Sequence, residues 1–318
     1  MISYPLVAAT PGIFRALTGL SQNDFDALFV DFHQAHAARL EQASHTKRGF
    51  RPRRRKPGAG HPFDHDLRDR LLMALVWLRV YPTYELLGWL FGLDRSNAWR
   101  NVQDILATLE QMARFPLEAP DPQRQPLASA QDLFAAFPEV RLVVDATEQS
   151  FHRLRGWDNQ KPFYSGKRKR HTIKAQLLCT PSGRVGSVGP SVPGSVHDLT
   201  LLRRSGQADG LAPEEGLMAD LAYVGLADDR PGLAVVLPHK AKAAEALTEQ
   251  QKAHNRRVSR CRVVVENLLA RLKVFQVLRQ TFRSVFGRHA QVFRVVALLV
   301  DRCLAATRPE PLPLPLGP

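Results

Sequence analysis

Apolar positions in the first forty residues fall at mixed three- and four-residue spacing. Phe14, Leu17, Leu20, Phe25, Leu28, Phe29 and Phe32 make up this pattern, which predicts helix. From Asp64 the period sharpens, with Leu67, Leu71, Leu72, Leu75, Val76 and Leu78 on one face before a break at Tyr81 and Pro82. A second helix is predicted from Thr83, suited to an N-cap, through Leu86, Leu87, Trp89 and Leu90 to Gly92, suited to a C-terminal stop. A third starts at Asp94 or Ser96 and runs past Trp99 to Leu109. Beyond a stretch holding Pro116, Pro120, Pro122 and Pro126 the period changes. Arg141 to Asp145 reads as a buried strand, and Thr172 to Cys179 and Arg184 to Val192 read as two strands joined by Thr180, Pro181, Ser182 and Gly183. Leu199 to Arg204 predicts a short helix, Leu217 to Asp220 and Leu233 to Leu237 strands, and Gln250 to Leu278 a long helix. Val292 to Ala306 is apolar but interrupted by Arg294, Asp301 and Arg302, so it reads as an amphipathic core helix. Strands mixed with helices in this order predict an α/β sheet covered by helices.

Length allows more than one core, since domains run to about 100–200 residues. The expected division is a helical segment and basic linker over 1–60, an all-α domain over 61–114 and a Pro-rich linker over 115–130. The α/β domain then occupies 131–308, with a disordered tail over 309–318. Charge narrows the partner. The formal net charge is +14, and the basic residues are clustered: Lys47 to Lys56 holds seven and no acid, Lys161 to Lys174 six and no acid, Arg256 to Arg262 four. Such blocks suit phosphate neutralisation, so nucleic acid is the expected partner rather than a membrane surface. Cys179, Cys261 and Cys303 are too widely spaced for a zinc site or a disulfide framework. No signal-peptide pattern and no apolar run approaching about 18 residues is present, and a cytoplasmic protein is expected.

Candidate chemistry lies in three places. Thr83 to Gly92, a tight turn, then Ser96 to Val102 has helix-turn-helix spacing, which makes Ser96, Asn97, Arg100 and Asn101 candidate base contacts; a plain three-helix bundle has the same spacing. In the second basic block, Lys167, Arg168, Lys169, Arg170 and Lys174, with Trp157, Phe163 and Tyr164 nearby, are candidate DNA contacts. Arg262, Glu266 and Lys273 fall at i, i+4 and i+11 on one helical stripe, where a carboxylate between two cations suits phosphate and metal. Asp145, at the end of its apolar run, and Asp220 are the acids that could join it. Asp198 competes with Asp220, or caps the helix that follows it. Glu148 is expected to be structural, and His171 and His197 to order polar loops or touch DNA.

Several segments then recur in a familiar order: Val143-Val144-Asp145-Ala146-Thr147, Tyr164-Ser165-Gly166-Lys167 with His171-Thr172-Ile173-Lys174, Gly194-Ser195-Val196-His197-Asp198, Ala219-Asp220-Leu221-Ala222-Tyr223, and Arg262-x3-Glu266-x6-Lys273. In these the chain resembles DDE transposases, most closely the bacterial insertion-sequence-five type and the related Harbinger-like endonucleases, over roughly residues 65 to 285. The resemblance implies a ribonuclease H-like catalytic domain behind a helix-turn-helix domain, with Asp145, Asp220 and Glu266 as a metal-binding triad. It also implies two Mg²⁺ (or Mn²⁺) ions, Asp145 bridging both, Asp220 and Glu266 each holding one, and Arg262 and Lys273 holding phosphate or orienting Glu266. Ser259 stands where the wider family has Tyr. The implied function is a bacterial, nucleoid-associated transposase that binds the terminal inverted repeats of its element, then cleaves and joins strands. Its partners would be double-stranded DNA, both element ends and target, and further copies of itself as a homodimer or larger assembly. A DDE-type nuclease without strand transfer and a catalytically silent DNA-binding regulator are the alternatives.

Overall fold

The computed structural model describes residues 1–48, 65–115, 135–212, 215–241 and 246–307. Most of the basic run up to Gly60, nearly all of the Pro-rich linker and the tail over 309–318 lie outside the described residues. The chain forms two compact units: one comprises Met1–Arg114 with Val274–Val277 and Arg294–Leu298, the other Phe115–Lys273 with Leu278–Phe293 and Leu299–Pro318.

The first unit holds helices α1 (Tyr4–Ala8), α2 (Pro11–Thr18), α3 (Gln22–Arg48), α4 (Leu67–Val80), α5 (Tyr84–Phe91) and α6 (Arg95–Met112). Helix α4 is buried at every position from Arg70 to Leu78 and packs against the others from the centre, as a helix apolar almost all round must. It ends where Tyr81 enters the left-handed region at φ 57° ahead of Pro82. Local signals set the next two helices. The Thr83 hydroxyl accepts the Leu86 amide at 3.2 Å, Gly92 closes α5 at φ +69°, and one Asp94 carboxylate oxygen accepts the amides of Ser96 and Asn97 at 2.7 and 2.9 Å. One acid organises the interior: Asp104 accepts from Arg70 at 2.5 Å and from Arg39, and lies 3.1 Å from His36. Burial alone would push its pKa up, but the hydrogen bonds from His36 and Arg39 and the charges of Arg39 and Arg70 hold it well below the usual carboxylate range.

The second unit is built on a sheet of β1 (Val140–Ser150), β2 (Tyr164–Ser165), β3 (Arg170–Cys179), β4 (Val185–Val188), β5 (Val192–Pro193), β6 (Gly216–Met218) and β7 (Val235–Val236). Its order is β2-β3-β1-β6-β7, with β4 and β5 also on β3. Strand β3 runs antiparallel to β1, while β6 and β7 run parallel to it. This is a ribonuclease H-like mixed sheet. The strand expected over Arg184 to Val192 is two pieces, because the chain breaks at Gly189 and Pro190, and proline has no amide to give a ladder. Strand β1 runs five residues beyond the expected end at Asp145, since Ala146 to Ser150 keep pairing with β3.

Helices cover both faces. On one, Leu142, Val144, Leu178 and Leu217 pack with Leu199, Leu202 and Tyr223, which come from α8 (Asp198–Ser205) and the turn after β6. A four-residue helix α7 (Trp157–Gln160) precedes β2, and α9 (Leu226–Asp229) follows the turn. On the other face lies α10 (Glu249–Leu272), opened by a capping box of Thr248 and Gln251 and buried along Val258, Cys261, Val265, Leu268, Leu269 and Leu272. The helix expected to reach Leu278 therefore stops at Leu272, and α11 (Gln276–Arg279) is separate; α12 (His289–Thr307) contains the expected amphipathic segment. Among the described residues no helix is long and apolar enough to cross a membrane.

Candidate active site

Side chains alternate across a strand, so Asp145, Thr147 and Gln149 of β1 face α10, while Val144, Ala146 and Glu148 face α8. Asp145 therefore points out of the middle of an eleven-residue strand toward the helix carrying Arg262 and Glu266. The chain leaves β6 at Met218, and two residues later Asp220 caps a single 3₁₀ turn, accepting the Ala222 amide at 2.8 Å. Residues of α10 one turn apart supply the rest.

All three acids converge on one guanidinium. The Arg262 nitrogens lie 3.7 Å from Asp145 Oδ1, 3.9 Å from Asp220 Oδ2 and 3.8 Å from Glu266 Oε1. Asp145 and Arg262 are nearly covered, whereas the Glu266 side chain is 55 % exposed. Burial pushes the Asp145 pKa up to about 6. The charge of Arg262 and a hydrogen bond from the Ala146 amide pull it down, and the neighbouring Asp220 and Glu266 push it further up. Lys273 is not on the stripe of α10 but is its C-cap residue. Its pKa is lowered by burial first and by repulsion from Arg168 second, against an attraction to Asp145. The basic turn before β3 therefore approaches the same place.

The donor set fits a hard divalent cation: three carboxylates, one of them buried and disfavoured as an anion by that burial even with Arg262 beside it. As they stand the acids are spread around Arg262, and among the described residues no three His, Cys, Asp or Glu side chains are grouped tightly enough to chelate an ion.

Asp198 is not in this group. It is the first residue of α8, with His197 at the N-cap position, so it does not cap the helix. Its Oδ1 lies 2.6 Å from Lys174 Nζ, on the opposite face of the sheet from Asp145. Lys174 in turn donates to the Val196 carbonyl at 2.6 Å and lies 3.9 Å from Glu148, whose other oxygen accepts the Thr172 hydroxyl at 2.8 Å. This corrects the expectation that Lys174 contacts DNA: it is buried and bridges two acids inside the protein. Sequence reading missed this lock. Its signal was the pairing of Glu148 opposite Lys174 in the β1–β3 register. Gly194 belongs to it as well, because a side chain there would collide with the Thr172 hydroxyl.

Lys167, Arg168 and Lys169 are exposed in the turn between β2 and β3, where Lys169 takes φ 54°, and Arg170 is exposed at the start of β3. In the first unit Ser96 and Arg100 are exposed at the start of α6, and Asn97 is partly covered, bonding Asp94 and Arg100 at 2.6 and 3.0 Å. Asn101 departs from the expectation of a base contact. Its amide oxygen accepts Arg70 at 2.6 Å and its nitrogen donates to the Asn97 carbonyl, so both ends of the side chain serve the interior.

Residues 144–301 match the family model described as DDE superfamily endonuclease, and residues 66–115 match the helix-turn-helix of DDE superfamily endonuclease. The chain is 27 % identical over 293 residues to the probable transposase for insertion sequence element IS702 of Microchaete diplosiphon, covering 92 % of this chain and 94 % of that one. It is 24 % identical over 286 residues to the putative transposase for insertion sequence element IS112 of Streptomyces albus G, covering 89 % and 92 %. No solved structure matches. With an endonuclease domain on a ribonuclease H-like sheet and that superfamily's helix-turn-helix ahead of it, the chain belongs to the DDE superfamily endonucleases.

Proposed function

We propose that the protein is a transposase that binds the terminal inverted repeats of its own element and cuts and rejoins DNA strands at the site of Asp145, Asp220 and Glu266. The observation that carries this is the meeting of three carboxylates from a strand, a turn and a helix at one guanidinium. Endonucleases of this superfamily use divalent metal ions. In this reading Asp145, Asp220 and Glu266 would hold two Mg²⁺ or Mn²⁺ ions. Bound there, they would supply activation of a water or 3′-hydroxyl and stabilisation of the departing oxygen.

The chain's own residues supply binding and orientation. Arg168 and its neighbours in the exposed turn neutralise phosphates along the approach, and Lys273 holds the phosphate beside Asp145. Ser96, Asn97 and Arg100 at the start of α6 read base edges in the major groove, with Arg100 suited to guanine. Two ends must be handled together for joining, so the active form on DNA is a dimer or larger assembly.

The experiment uses labelled DNA carrying the element's flanking ends, with Mg²⁺ or EDTA, comparing wild type with Asp145→Asn. Metal-dependent cleavage and joined products, both lost in the variant, are expected. Cleavage without joining would reduce the protein to a nuclease, and tight binding without chemistry would make it a DNA-binding regulator.

A further inference from the structure

Among the described residues of the second unit, no other arginine stands among three acids as Arg262 does. Arg184 grips Asp301 with two bonds of 2.7 and 2.8 Å, and Arg203 grips Asp229 at 2.7 and 2.9 Å, each a fork closed on one carboxylate. Arg262 closes on none. Its separations of 3.7, 3.9 and 3.8 Å are too long for hydrogen bonds, so it is held by the summed attraction of three anions. That position leaves the Arg262 side chain only 15 % exposed, and its buried Nε has no hydrogen-bond partner. A guanidinium taken out of water without its donors satisfied is poorly housed.

We infer that Arg262 is a resident counter-cation, a positioning residue that keeps Asp145, Asp220 and Glu266 facing one another and must be drawn aside by a DNA phosphate before a divalent ion binds. The inference rests on reading those acids as the metal-binding set. A fixed positive charge within 4 Å of one oxygen of each carboxylate opposes an incoming cation. A phosphate can come within hydrogen-bonding distance and close a fork on the guanidinium, which none of the three carboxylates does at these separations. Binding of DNA and binding of metal are therefore coupled in this chain, and the free protein holds its acids assembled while remaining a poor metal binder.

The test is titration of the metal-free full-length protein with Mn²⁺, following the free ion by electron paramagnetic resonance, with and without random-sequence duplex and after subtracting ions bound by the duplex alone. Wild type is expected to bind Mn²⁺ at least about tenfold more tightly with DNA than without. Arg262→Gln is expected to bind tightly without DNA and to gain little from it, while Arg262→Lys, which keeps the charge, stays weak. Should the Gln variant lose its circular dichroism signal, Arg262→Met preserves the packing of the stem and takes its place. A neutral variant that binds Mn²⁺ no more tightly than wild type in the absence of DNA overturns the counter-cation role. Asp145→Asn must lose binding in every arm. If it does not, the reading of the site itself fails, which separates the two ideas.

Discussion

The Gln176 amide on β3 donates to the Tyr223 hydroxyl at 2.7 Å, both side chains being fully buried, and so ties the sheet to the turn that carries Asp220. Gln176 pairs across the ladder with Ala146, the residue after Asp145. One buried bond thus links the backbone beside the first acid to the turn beginning at the second. Tyr223→Phe removes the acceptor and leaves the Gln176 nitrogen only a long contact to the Asp198 carbonyl at 3.4 Å. The expected loss is ~1–2 kcal/mol of stability, read by thermal unfolding, with a fall in metal-dependent cleavage larger than the fall in DNA affinity. Equal falls in both would make the bond merely structural.

Glu266→Gln keeps size and shape while removing the exposed charge on α10. Metal-dependent cleavage is expected to vanish, and affinity for DNA to remain within about twofold on the scale where tenfold is 1.4 kcal/mol. Nicking that persists in Mg²⁺ would remove Glu266 from the site.

Lys174→Met separates burial from DNA contact. The substitution leaves Asp198 and Glu148 as uncompensated acids beneath the sheet, at an expected cost of ~3–5 kcal/mol in chemical denaturation. The salt dependence of DNA binding by the folded fraction is expected to be unchanged. A reduced slope would return Lys174 to the phosphate contacts.

The first unit should be acid-labile through Asp104. Its pKa is depressed below the ordinary 3.8, so the folded state binds the proton less readily than the unfolded one. The resulting stability is fully present above the unfolded value and is lost as pH falls through the folded one. Unfolding followed by tryptophan fluorescence should show a midpoint that drops below about pH 4 in wild type, and a lower, flatter profile in Asp104→Asn. A wild-type profile as flat as that of the variant would count against this account.

Arg100 and Arg168 should differ in kind. Arg100→Ala is expected to cost about 1–3 kcal/mol on the element's ends and little on random duplex, while Arg168→Ala weakens both alike and lowers the salt slope by about one. Competition binding at two salt concentrations measures both, and an equal loss on random DNA would make Arg100 a phosphate contact.

What could be read from the sequence was mostly local. Thr83, Asp94 and Gly92 act on their own helices, so the ends of α5 and the start of α6 were visible without any tertiary information. The order of motifs likewise pointed to Asp145, Asp220 and Glu266 as a set. What escaped depends on register and burial. Lys174 looked like one more cation in a basic run, and only the pairing that sets Glu148 opposite it makes an internal lysine sensible. Asn101 resembled a base reader until Arg70 arrived from α4 to occupy it. The end of α10 at Leu272 was hidden because no proline or glycine marks it; Lys273, Val274 and Phe275 are all compatible with helix.

The long strand β1 gives the two sides of the site unequal stiffness. Its backbone is laced to β3 from Val143 to Ser150 and to β6 from Val140 to Val143, and a strand held so in a buried sheet opens only with the whole unit. Asp145 is therefore anchored in what should be among the slowest-exchanging amides of the chain. Glu266 stands opposite on a helix surface, half in solvent. In the proposed reaction, where water attacks in one step and a strand end in the next, the site needs room to adjust, and the compliance lies on the helix side. The strand acts as the anvil, and adaptation between steps falls to α10.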